Sequence, residues 1–137
     1  MRIPPNLQLR DPDFFHTPFD AWRELFRRSD DRQLIATAVA QANWVWSCVA
    51  QHRPIAVAQL SEEEVRRALD PDERSSVAPV RRALLDFAEQ LTLAPNELSQ
   101  ENVRAAVAAG ASVEQLRAVV EIAAQANVIN RVLAARA

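Results

Sequence analysis

The chain contains no lysine: all sixteen of its basic residues are arginine. Schiff-base chemistry through a side-chain amine is therefore excluded, as is a phosphate-binding loop that relies on lysine. Cysteine occurs once, at Cys48, which rules out an intrachain disulfide and suits a reducing compartment, so a cytoplasmic protein is expected. A formal charge of −2 and a pI near 5.7 give no global attraction to phosphate backbones or anionic lipid. Neither nucleic acid nor a membrane is expected as a partner. The first thirty residues hold no apolar core of signal type, and nowhere do eighteen apolar residues run unbroken; a chain without a visible export signal or a membrane span is expected. No set of His, Cys and carboxylate residues has metal-ligand spacing, His16 included, and no cofactor is expected.

What is present is alanine-rich and helical in pattern. Hydrophobic residues make up 49% of the 137 positions and recur at three- and four-residue steps, with glycine only at Gly110. This predicts one all-α domain, residues 1–137, of about six to seven helices. Residues 1–16 read as an extended arm, and Thr17-Pro18 starts a helix with Phe19, Trp22, Leu25 and Phe26 on its apolar face. Ser29, Asp30 and Asp31 can cap a longer helix in which Leu34, Ile35, Ala38, Ala42, Val45 and Val49 keep helical spacing. Pro54 is expected to kink the chain near Ala50 to Arg53, or to start a new helix there. Ser61 with Glu64 forms a capping box for a short helix that stops before Pro71, and Asp70 to Ser76 reads as a polar linker. Pro79 opens the next helix, with Val80, Ala83, Leu84, Phe87, Ala88 and Leu91 on one side, and Ala94-Pro95-Asn96 closes it. Ser99 caps another helix that ends at Gly110, and Ser112 with Gln115 starts a long final one. Residues 56–66 echo residues 107–117, either as an internal repeat or because Ala-rich capped helices look alike.

The chemistry is concentrated between Asn43 and His52. On a helix the four-residue step from Cys48 to His52 puts both side chains on one face, with β-carbons about 5–6 Å apart. That is close enough for an imidazole to contact a thiolate, the form of cysteine that is a good nucleophile. The plainer reading is a small buried thiol and a helix-end histidine. Asn127 and Asn130 lie on or beside the stripe that continues from Val120 and Ala123, where buried amides would need partners. Arg131 could hold an anionic group, pair across a subunit boundary, or simply be solvated.

The ordered set Cys48, His52, Arg53-Pro54-Ile55-Ala56, Leu60-Ser61-Glu62-Glu63, Leu84 to Thr92, Ala109 to Ser112 and Asn130-Arg131 resembles the alkylhydroperoxidase-D-like and carboxymuconolactone decarboxylase family over most of residues 32–131. The resemblance implies a helical bundle with a helix-turn-helix pair around the Cys/His segment, assembled as a trimer or hexamer of identical chains. It puts the peroxide-reacting sulfur at Cys48 and the motif histidine at His52. Two departures stand out. The resolving cysteine falls on Val45, so any sulfenic acid on Cys48 would need an external thiol reductant. The upstream glutamate falls on Gln33, fifteen residues before Cys48, and an amide cannot accept a proton as a carboxylate does. In an unbroken helix those two residues would be about 22 Å apart, so contact needs a break near Asn43-Trp44, where relatives often carry glycine, or an approach from another subunit. In the decarboxylase branch the glutamate falls on Cys48 and its tryptophan on Val49, leaving only His52, while Trp46 takes an aromatic position that could line a pocket or be plain core.

Three readings follow from the sequence. One is a hydroperoxide reductase using Cys48 and His52, with Gln33, Trp46, Asn130 and Arg131 in possible support. The second is a catalytically degenerate relative acting as an oligomeric scaffold or small-molecule-binding protein. The third is a cofactor-free lactone decarboxylase or isomerase with His52 as base and an arginine as anion clamp.

Overall fold

A computed structural model describes residues 31–136. The expected N-terminal arm, the helix at Thr17-Pro18 and His16 lie outside the described residues. Six α-helices follow one another: α1 (Arg32–Ala42), α2 (Trp46–Gln59), α3 (Glu62–Leu69), α4 (Pro79–Leu93), α5 (Gln100–Ala108) and α6 (Val113–Arg136). Short 3₁₀ turns at Arg74–Ser76 and Pro95–Glu97 join some of them, and no strand occurs among the described residues. The all-helical reading is correct.

α1 is the central element. Seven successive residues, Leu34 to Ala40, are buried, because α2, α4 and α6 all pack on it and the helix is apolar nearly all round. Its one polar core side chain, Thr37, is satisfied by donating to Gln33 O at 2.6 Å. Leu34, Leu85 and Leu116 meet in the same core from three helices and are fully buried, each contributing roughly 1.5–3 kcal/mol of transfer free energy.

The helix starts follow the local chemistry read from the sequence. Ser61 Oγ accepts from Glu64 N–H at 3.1 Å, and Glu62, Glu63 and Glu64 occupy the first turn of α3, where the helix dipole favours acids. Ser112 and Gln115 make both halves of a capping box, at 2.9 and 3.1 Å. Pro79 is the first residue of α4. α5 ends in a Schellman turn closed by Ala111 N–H to Ala106 O at 3.0 Å, with Gly110 at φ +103°. A Cβ on Gly110 would meet Val80 Cγ2 at 3.1 Å.

Two expectations are corrected. The long helix expected from about residue 32 through Val49 is two helices, divided at Asn43, Trp44 and Val45. Of the two alternatives at Pro54, a new helix does not start there; the proline lies inside α2. Both Pro54 and Ala50, whose carbonyl loses its partner, are exposed, so water can satisfy the freed oxygen. The linker before α4 is also more than polar filler. Arg74 is 4% exposed and donates to Ala68 O at 2.9 Å, to Asp86 Oδ1 at 3.0 Å and to both Glu89 oxygens at 2.6 and 2.7 Å. Its planar fork ties the end of α3 to the face of α4.

Candidate functional site

The turn between α1 and α2 sets the geometry. Val45 N–H donates to Ala40 O at 3.0 Å and Trp44 N–H to Gln41 O at 3.1 Å, the hydrogen-bond pair of a Schellman turn. The residue in its left-handed position is Trp44, at φ +59°. Glycine is the usual occupant there, because a Cβ is strained by about 1–2 kcal/mol.

This turn folds α2 back against α1 and brings Gln33 to His52. His52 Nδ1–H donates to Gln33 Oε1 at 2.8 Å. With the proton on Nδ1, Nε2 keeps its lone pair. The imidazole pKa lies below its ordinary value, chiefly because burial disfavours the charged ring and secondarily because of the nearby Arg32 charge. His52 is therefore a neutral base at neutral pH.

The sulfur is buried beside the same turn. A Schellman turn is commonly clasped by an apolar contact between its two ends, and here Ala40 and Val45 form that contact, with Cys48 and Val49 packed into the cluster. Cys48 is 2% exposed and its thiol makes no hydrogen bond among the described residues. Val45, at the position where the resemblance expects a second sulfur, belongs to the same buried cluster.

The remaining residues singled out from the sequence are scattered. Trp46 is 56% exposed and stands edge-on to Trp44, with ring centroids 6.0 Å apart. Arg131 is exposed. Asn130 is buried, with no partner for its Nδ2 among the described residues. Asn127 is fully engaged: its Oδ1 accepts from Asn43 Nδ2 at 2.8 Å, and its Nδ2 donates to Thr92 Oγ1 at 3.2 Å and Ala123 O at 2.8 Å. Asn43 and Thr92 were not legible as partners, because the link spans eighty-four and thirty-five residues of sequence.

An open groove of about 410 Å³ is lined by Gln41, Arg53, Arg66, Leu69, Asp70 and Pro71. Its two guanidinium groups are engaged: Arg53 donates to both Glu62 oxygens at 2.6 and 3.2 Å, and Arg66 to Glu63 and Glu73. Neither is a free anion clamp. Among the described residues no three of His, Cys, Asp or Glu come together as metal ligands. Comparison of the chain with family models, with curated proteins and with solved structures finds no match.

Proposed function

We propose that the chain is a catalytically degenerate relative of the alkylhydroperoxidase-D-like proteins, a self-associating helical scaffold of the cytoplasm that keeps the relay geometry while its thiol has become packing. The observation that carries this reading is the hydrogen bond between Gln33 and His52, made by an amide where the resemblance expects a carboxylate. A carboxylate would favour the imidazolium, and an imidazolium would favour a thiolate on Cys48; the amide supplies no charge for either step. Cys48 is buried in one cluster with Ala40 and Val45, and Val45 offers no sulfur to resolve a sulfenic acid. Restoring both lost groups tests the proposal. In a hydroperoxide-reduction assay with a dithiol reductant, the wild type, Gln33→Glu and Val45→Cys are expected to be inactive and the double variant active. Wild-type turnover equal to that of the double variant would refute it.

The second reading, a single-cysteine peroxidase, draws on the neutral Nε2 of His52. One helical turn from Cys48, it is chemically suited to take the thiol proton, after which the thiolate would attack the peroxide O–O bond, giving a sulfenic acid and an alcohol. Two external thiols would then reduce the sulfenic acid to the thiol, releasing water and their own disulfide. This reading requires Cys48 to be reachable from solvent.

A further inference from the structure

α6 is apolar on two opposite faces. Its inner stripe, Leu116, Val119 and Ala123, is buried in the core. Its outer face near the C-terminal end consists of Val128, Ile129, Val132 and Leu133, exposed by 64, 53, 44 and 38%. The hydrogen bonds of Asn127 bring further exposed apolar side chains to the same end: Trp44 follows Asn43, Trp46 packs on Trp44, and Leu93 follows Thr92. Of the large exposed hydrophobic residues among the described ones, only Ile55 lies outside this group.

Such a surface needs a cover. With a whole aromatic side chain amounting to ~150–250 Å², the seven residues present on the order of 700 Å². Gathered at one end of the molecule, that total approaches the ~800 Å² each partner gives a standard interface. By length and composition Val113–Ala135 could cross a bilayer, with mean hydropathy 1.2. The first half of that helix, however, forms a wall of the core, and insertion would strip Leu116, Val119 and Ala123 from it.

We infer that this end of the molecule is the contact between two copies of the chain, with their α6 tails antiparallel about a two-fold axis. The stripe is complementary to itself, as an isologous interface requires: antiparallel pairing about its centre sets Val128 against Leu133 of the second copy and Ile129 against Val132. Arg131, the single charged residue between Ile122 and Ala135, is exposed and stays hydrated at the rim. The inference names the surface for the self-association in the proposed function and is independent of the state of the thiol.

Sedimentation of the full chain tests it, comparing the wild type with an Ile129→Glu/Val132→Glu variant of unchanged helical circular dichroism. The wild type is expected to self-associate at micromolar concentration, and the variant to do so at least about a hundredfold more weakly. A monomeric wild type would overturn both the inference and the self-association. An assembly unchanged in the variant would overturn the surface alone. Should the variant misfold, Val132→Cys is expected to form a disulfide-linked dimer in air and Ala105→Cys, on exposed α5, is not; no Val132→Cys dimer would sink the inference. Cosedimentation of the wild type with phosphatidylcholine–phosphatidylglycerol vesicles would assign the face to lipid instead and contradict it.

Discussion

Gln33 and His52, nineteen residues apart, share a 2.8 Å hydrogen bond across the hairpin of α1 and α2. Because the acceptor is a neutral amide, nothing in that bond offsets the burial that disfavours a charged ring. Gln33→Glu would place a carboxylate against Nδ1–H and is expected to raise the His52 pKa by at least about one unit. Titration of the imidazole C–H resonances by NMR reads this directly; an unchanged pKa would mean that the pair does not form in solution.

The depressed pKa also makes stability depend on pH. An imidazole in the unfolded chain takes up a proton near pH ~6.5, whereas the folded His52 requires a lower pH. Between those two values the unfolded state binds more protons, so stability falls as the pH drops through this window and levels off below the folded-state pKa. The difference between wild type and His52→Gln, measured by urea denaturation from pH 8 to pH 5, isolates this contribution from that of His16. The wild type is expected to lose more stability on acidification than the variant, and parallel curves would contradict the account.

Trp44 holds a left-handed conformation at 78% exposure, so its side chain returns little packing for the strain. Comparing Trp44→Gly with Trp44→Ala removes the indole from both and leaves the backbone preference as the difference. The glycine variant is expected to be more stable by about 1 kcal/mol in chemical denaturation. The reverse order would show that the turn is not left-handed at this residue.

Arg74 is buried while its partners Asp86 and Glu89 retain 60% and 22% side-chain exposure. Removing the guanidinium therefore leaves carboxylates that water can partly reach, and Arg74→Ala is expected to cost about 2–3 kcal/mol, short of the loss for a fully buried pair. Arg74→Lys cannot reproduce the fork and is expected to recover less than half of it. A change below about 0.5 kcal/mol in thermal or urea unfolding would remove the clamp from the account of the fold.

What could be read from the sequence was local. Ser61, Pro79, Ser112 and Gly110 mark helix ends because their chemistry acts within three or four residues, and the alanine-rich spacing makes the all-helical class plain. The break at Trp44 could be read only as one of two ways for Gln33 to come near Cys48, because tryptophan carries no turn signal of its own; the turn is accompanied by the Ala40–Val45 cluster and by α2 packing on α1. Pro54 opens no new helix, because a proline on an exposed helix face can leave its carbonyl partner to water. The four-residue step from Cys48 to His52 does fall on one helix, but spacing carries no information on burial. The burial of the sulfur and the approach of Gln33 both depend on a hairpin that only tertiary packing creates.

The reactivity of Cys48 in the native chain tests the central claim most directly. After exposure to hydrogen peroxide in the presence of dimedone, intact mass spectrometry is expected to show no adduct on the folded protein, with the thiol becoming modifiable only when the chain is unfolded. A stoichiometric adduct on the folded wild type, absent from Cys48→Ser, would contradict a sulfur held as packing beside Val45 and restore the peroxidase reading.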